Sequence, residues 1–119
     1  LGELGGMDEF SAAGSNIARG FGTLRDVDER WAPEEMGIRS GNLDDLQGGD
    51  VDVNMSILNN LLNGKATAAL EDSVVANAAA AFFVAGRHAS VREGVAEARD
   101  FLLGGPTRAK INQTREFYN

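Results

Sequence analysis

Residues 71–85 form a helix-length segment so rich in Ala, Val and Phe that nearly every face is apolar. Such a helix cannot lie on a surface and has to be enclosed by other elements. Ala76, Ala78, Ala79, Ala80 and Ala81 let a neighbouring helix approach closely, while Val75, Phe82 and Phe83 supply bulk. The apolar run over 74–86 is interrupted by Asn77 and is shorter than the ~20 residues of a membrane span. It reads as a core helix, and no membrane partner is expected.

The rest of the chain supplies the enclosure. Met55, Leu58, Leu61 and Leu62 recur at helical spacing, with Asp50 or Asp52 as the cap and Gly64 as the stop. A third helix opens at Ser90 with Glu93 three residues on, a capping box, and its buried stripe is Val91, Val95, Ala98 and Leu102. Gly104, Gly105 and Pro106 end it, and a last amphipathic segment over 107–118 uses Ala109, Ile111 and Phe117 as contacts. Residues 1–50 differ in character: apolar patches over 17–24 and 27–31 flank Gly20, Gly22 and the Arg25-Asp26 pair, which suits a small hairpin. Residues 32–37 then read as one helical turn, with Pro33 at its first position and Gly37 as its stop. The expected architecture is an α-rich piece of an α/β fold, a hairpin followed by about four helices. It forms a single partial domain over 1–119, with the loop, strands and turns in 1–50 and the helical part in 51–119.

Composition narrows the function. The net charge of −7 repels a phosphate backbone, so nucleic acid is not an expected partner. A basic face from Arg87, Arg92, Arg99, Arg108, Lys110 and Arg115 requires the helices to align them. The sequence has no cysteine, which excludes disulfides and thiolate metal sites and fits a cytoplasmic protein. No charged segment followed by an apolar one opens the chain, so no signal peptide is expected. The first residue is not methionine and reads as a cut or processed end.

One short motif carries chemistry. Gly5-Gly6-Met7-Asp8-Glu9-Phe10-Ser11 places two adjacent carboxylates after a glycine pair, hard oxygen donors on a bendable loop of the kind a Mg²⁺-phosphate site needs. Adjacent side chains on a strand point to opposite faces, so the two acids meet one metal only if the backbone turns there. Alone, the motif is an ordinary solvated turn. Followed by Ala32-Pro33-Glu34-Glu35-Met36-Gly37-Ile38, Leu46-Gln47-Gly48-Gly49-Asp50, Asn54 and Val74-Val75-Ala76-Asn77-Ala78-Ala79-Ala80, it resembles the C-terminal part of anthranilate phosphoribosyltransferase, with order and spacing matching over the whole chain.

That resemblance implies transfer of phosphoribosyl from phosphoribosyl pyrophosphate to the amine of anthranilate in tryptophan biosynthesis, with Mg²⁺ as cofactor and a homodimer as the full-length assembly. It assigns Asp8 and Glu9 to the metal, directly or through water, and no catalytic acid or base. Family members carry, upstream, a Gly-Thr-Gly-Gly-Asp loop for the pyrophosphate, a Lys-His-Gly-Asn segment and most of a helical domain, none of which occurs here. Without the groups that position both substrates, the isolated chain is expected to be inactive. Two positions depart from the pattern: Glu3 stands where a histidine is frequent, and Ser15-Asn16 replaces a common Pro-Thr pair. A non-catalytic scaffold derived from the same fold is the alternative reading.

Other marked residues have structural explanations. Gly48-Gly49-Asp50 is a turn and helix cap. Asn77, an amide in an apolar helix, is expected to tie that helix to a neighbouring backbone. His88, with no Cys, Asp or Glu at ligand spacing, reads as a solvated loop residue, and Trp31 as an apolar anchor under the hairpin. Arg19, Arg25 and Arg30 read as solvated.

Overall fold

A computed structural model describes residues 7–119, so Glu3, Gly5 and Gly6 lie outside the described residues. The hairpin expected from the two apolar patches is present. Strand β1 (Asn16–Arg19) pairs antiparallel with β2 (Asp28–Trp31), Asn16 opposite Trp31 and Arg19 opposite Asp28. The Gly20 amide donates to the Val27 carbonyl at 2.7 Å and closes the hairpin around a single 3₁₀ turn at Gly22–Leu24. A Cβ on Gly20 would sit 2.0 Å from the Leu24 carbonyl oxygen, so the closure requires glycine. Trp31 packs between Phe10 and Phe83, with ring centroids 5.6 and 6.4 Å away. The turn over 32–37 follows, stopped by Gly37 at φ +77°, and it delivers Met36 and Ile38 into the core.

Four helices complete the chain. Helix α1 (Val51–Leu62) is capped by the Asp50 carboxylate, which accepts from the Val53 amide at 2.9 Å, and is stopped by Gly64 in a left-handed conformation. Leu61 and Leu62 are buried, but Met55 is exposed along with Val51 and Val53. The expected stripe is therefore used only toward the C-terminal end, because no described element covers Val51, Val53 and Met55. Helix α2 (Ala68–Val84) is capped by Thr67, and α3 (Val91–Leu103) by Ser90. Glu93 closes its half of the box on the amide of Ala89 rather than Ser90, at 3.1 Å. Helix α4 (Pro106–Tyr118) starts after Gly105, with φ +112°, and has Pro106 in its first turn. Of its three expected contacts, Ile111 reaches the core, whereas Ala109 and Phe117 are exposed. Phe117 stands edge-on to Tyr118 instead.

The centre of the fold is the α2–α3 contact. Val75, Ala76 and Ala79 are completely buried and belong to one core cluster with Val91, Val95, Ala98 and Leu102. A Cβ on Gly94 would come within 3.4 Å of the Ala79 Cβ, so small residues on both helices set their close approach. The enclosure expected for α2 is incomplete among the described residues: Ala81 and Val84 are exposed and Phe83 is half-buried. No helix among the described residues is long and apolar enough to cross a membrane.

Candidate functional site

Asp8 and Glu9 are exposed and lie in a bend rather than a strand, so the alternation that would separate their carboxylates does not operate. No group of three or more His, Cys, Asp or Glu side chains that could hold a metal by itself is present among the described residues. Two carboxylates without a protein cage match the habit of Mg²⁺, which keeps waters and substrate phosphate oxygens for most of its coordination. The donor set therefore fits that ion.

The segment leaving the two acids is held by side chains of α2. The Asn77 Nδ2 donates to the Phe10 carbonyl at 2.7 Å and to the Ser73 carbonyl at 2.8 Å, while its Oδ1 accepts from the Phe10 amide at 3.0 Å. One turn earlier, the Ser73 hydroxyl oxygen accepts from the Ala12 amide at 2.9 Å. The spacing is matched: four helical residues rise ~6 Å, and two extended residues advance ~6.6 Å. Asn77 thus ties its helix to a neighbouring backbone, as its place in an apolar run requires.

Asn16, fully buried at the start of β1, fixes the intervening turn. Its Oδ1 accepts from the Ser11 amide at 2.9 Å, and its Nδ2 donates to the Ser11 and Gly14 carbonyls at 3.0 and 3.2 Å. Neither Ser73 nor Asn16 was a candidate from sequence. Asn16 showed only as a departure from the family pattern, and Ser73 looks like any residue of a first helical turn. The usable signal was the presence of polar groups where burial is unavoidable.

A second cluster anchors residues 38–41 to the same helix. Asp72, with no exposed surface, accepts from the Arg39 backbone amide and from the Arg39 Nε and Nη2, each at 2.8 Å, and from Arg99 at 3.0 Å. Arg99 also pairs with Glu71. Burial pushes the Asp72 carboxyl up, but these hydrogen bonds outweigh it and hold the group at about 2. Two residues past Arg39, the Gly41 amide donates to the Ala12 carbonyl at 2.8 Å. The loop after Asp8 and Glu9 is therefore braced by α2 on one side and by residues 38–41 on the other.

His88 is not solvated. It is half-buried, with Nε2 2.7 Å from Glu97 Oε2 and its ring 6.2 Å from Phe82. Glu97 lies nine residues on, outside a local spacing search, but α3 folds back over the loop and presents it one turn after Gly94. Hydrogen bonds from Arg87, then His88, lower the Glu97 carboxyl. The α3 arginines also turn to oxygen acceptors: Arg92 donates to the Glu34 carbonyl, and Arg99 to Asp72. Arg108 of α4 donates to Asn63. These contacts tie the guanidinium groups to oxygen acceptors of the chain itself. At Gly48-Gly49-Asp50 the Asn54 amide brackets the Gly49 backbone, accepting at 2.9 Å and donating at 3.0 Å. That turn has the structural role read from its sequence.

Comparison with known proteins identifies relatives of the chain. A protein of Deinococcus radiodurans named anthranilate phosphoribosyltransferase is 38% identical over 100 residues, covering 84% of this chain and 30% of that protein. One of the same name from Synechococcus sp. (strain WH7803) is 35% identical over 111 residues, covering 93% of this chain and 32% of its own length. The crystal structure of anthranilate phosphoribosyltransferase from Thermus thermophilus superposes with a TM-score of 0.69 at 32% identity, over 76% of this chain and 27% of that one. The chain thus spans about 30% of the length of the curated relatives it matches. Residues 2–108 match the family described as "Glycosyl transferase family, a/b domain". The chain belongs to that family and carries a hairpin-and-helix portion of its α/β domain.

Proposed function

We propose that this chain is the C-terminal, metal-bearing part of an anthranilate phosphoribosyltransferase, which transfers phosphoribosyl from phosphoribosyl pyrophosphate to anthranilate in tryptophan biosynthesis. The observation that carries the reading is the exposed Asp8-Glu9 bend, whose next residues are clasped by half-buried Asn77 and buried Ser73 of α2. The similarity to proteins named for this activity supports the same reading.

Asp8 and Glu9 would hold Mg²⁺ in this reading, directly or through water. When bound, the ion offsets the negative charge that grows on departing pyrophosphate. Asn77, Ser73 and Asn16 hold the backbone that follows the acids, which would limit the reorganisation needed when the polyanion arrives. The reading assigns no catalytic acid or base, and leaves His88 paired with Glu97 through its Nε2.

The reading takes 1–119 as one partial domain, completed by the remainder of the family's polypeptide and located in the cytoplasm, with a homodimer as the complete assembly. The isolated chain is then inactive. The test is a chimaera in which this chain replaces the matching segment of the Deinococcus radiodurans relative. Anthranilate fluorescence should decay with phosphoribosyl pyrophosphate present, and only with Mg²⁺; a folded chimaera without turnover refutes the proposal and favours a scaffold role.

A further inference from the structure

Asn63-Gly64 is the one Asn-Gly pair in the sequence and lies exposed where α1 ends. Asn63 is the C-cap, at φ −92° and ψ 3°, and Gly64 follows at φ +70°. The Gly64 amide donates to the Leu61 carbonyl at 3.1 Å and the Lys65 amide to the Asn60 carbonyl at 2.8 Å, the two bonds of a Schellman stop. From α4, the Arg108 Nη2 donates to the Asn63 Oδ1 at 2.7 Å. Guanidinium nitrogens only donate, so the atom that faces Arg108 has to be the amide oxygen, and Nδ2 lies on the far side of the amide.

We propose that this turn is a self-modifying site, at which the Gly64 amide nitrogen closes on the Asn63 side-chain carbonyl carbon and Arg108 is the cation beside the oxygen that becomes negative. The N–Cγ bond forms as the Gly64 amide gives its proton to solvent. Negative charge then sits on the Asn63 Oδ1 in the tetrahedral intermediate, next to the guanidinium. The Cγ–Nδ2 bond breaks and Nδ2 leaves as ammonia, taking a proton back from solvent. Water opens the five-membered imide at either carbonyl and leaves aspartate or isoaspartate at position 63. Water is the only co-reactant.

Closure requires the turn to open, because the Gly64 amide is bonded to Leu61 in the closed form. A helix end opens more readily than its middle, since only terminal bonds have to break. Glycine at 64 brings no Cβ to crowd the ring. In the aspartate product the new carboxylate faces the same guanidinium. In isoaspartate the main chain runs through the former side chain and is one atom longer, so the Gly64 and Lys65 amides lose their register with Leu61 and Asn60. Neither the site nor its chemistry depends on the roles of Asp8 and Glu9.

The test is incubation of the 119-residue chain in H₂¹⁸O at mildly alkaline pH, followed by peptide mapping and mass spectrometry. Residue 63 should become an acid carrying one ¹⁸O, part of it a substrate for an isoaspartate-specific methyltransferase, ahead of exposed Asn42, Asn59 and Asn112, none of which precedes glycine. Asn63→Gln should abolish the signal. Hydrogen exchange of the Gly64 amide, measured alongside, reads the opening of the turn and allows each rate to be corrected for it. After that correction Arg108→Ala should slow conversion about two- to fivefold, the range open to an exposed charge contact, and Arg108→Lys, which keeps the charge, should restore most of the rate. An Asn63 that stays an amide in the folded chain overturns the site, and conversion in the urea-unfolded chain alone then assigns its protection to the Schellman stop. Corrected rates that are equal or faster in Arg108→Ala overturn the part given to Arg108 and make its contact a clamp.

Discussion

The side-chain amide of Asn77 pairs with the backbone of Phe10 as a neighbouring strand would, Nδ2 donating to the carbonyl at 2.7 Å and Oδ1 accepting from the amide at 3.0 Å. Phe10 directly follows Glu9, so α2 sets where the two exposed acids emerge. Truncation to alanine strands both Phe10 groups in a half-buried setting and should destabilise the chain by ~1–3 kcal/mol. Hydrogen exchange provides the local check: the Phe10 amide should lose protection in Asn77→Ala but retain most of it in Asn77→Asp, which keeps the acceptor. Unchanged Phe10 exchange in Asn77→Ala would show that the clasp does not hold the loop.

Asp72 predicts the acid behaviour. Its folded carboxyl is held at about 2, against an ordinary value of 3.8. A depressed acid contributes stability that is fully present above the unfolded value and is lost as pH falls toward the folded one. The contribution, ~2 kcal/mol, should therefore hold at neutral pH and disappear between about pH 4 and 2. Denaturant melts across that range should show a steeper fall for the parent chain than for Asp72→Asn. Arg39→Ala and Arg99→Ala should each shift the acid transition upward in pH, because each removes a donor from the buried carboxylate.

Gly41 is held against α2 by space rather than by dihedral angle. A Cβ there would lie 2.4 Å from the Ala69 Cβ and 3.1 Å from its Cα, with backbone on one side and no long side chain to swing away. Gly41→Ala should cost ~1–3 kcal/mol through overpacking, read as a lowered denaturation midpoint with an unchanged slope. Gly64→Ala offers a contrast, since its Cβ meets open space and only the positive φ of 70° opposes it. Its loss should stay near 1 kcal/mol.

The acids themselves should be thermodynamically silent. Asp8 and Glu9 are exposed and, among the described residues, make no contact that the core depends on, so Asp8→Ala with Glu9→Ala should change stability by no more than ~0.5 kcal/mol. A large drop in melting temperature would place them in the fold rather than at a ligand.

Local patterns made most of the fold legible. Periodicity and caps located α1, α3 and the start of α4, and glycine placement located the hairpin, because these signals act within a few residues of one another. What stayed hidden depends on distant parts of the chain meeting. His88 finds Glu97 only after α3 folds back, Asp72 finds Arg39 across 33 residues, and Ser73 finds Ala12 across 61. The exposure of Met55 and Phe117 was illegible for the opposite reason: apolar spacing marks a face able to pack, and nothing described packs there. Of the candidate site, Asp8 and Glu9 were readable as a motif and Asn77 as an amide that needs a backbone partner, but their link through Phe10 was not.

The most direct measurement is turnover in the chimaera with the Deinococcus radiodurans relative, with and without Asp8→Ala and Glu9→Ala together. The account predicts Mg²⁺-dependent loss of anthranilate fluorescence in the parent chimaera, and its abolition in the double variant at an unchanged melting temperature. Undiminished turnover in a double variant that still folds would contradict it.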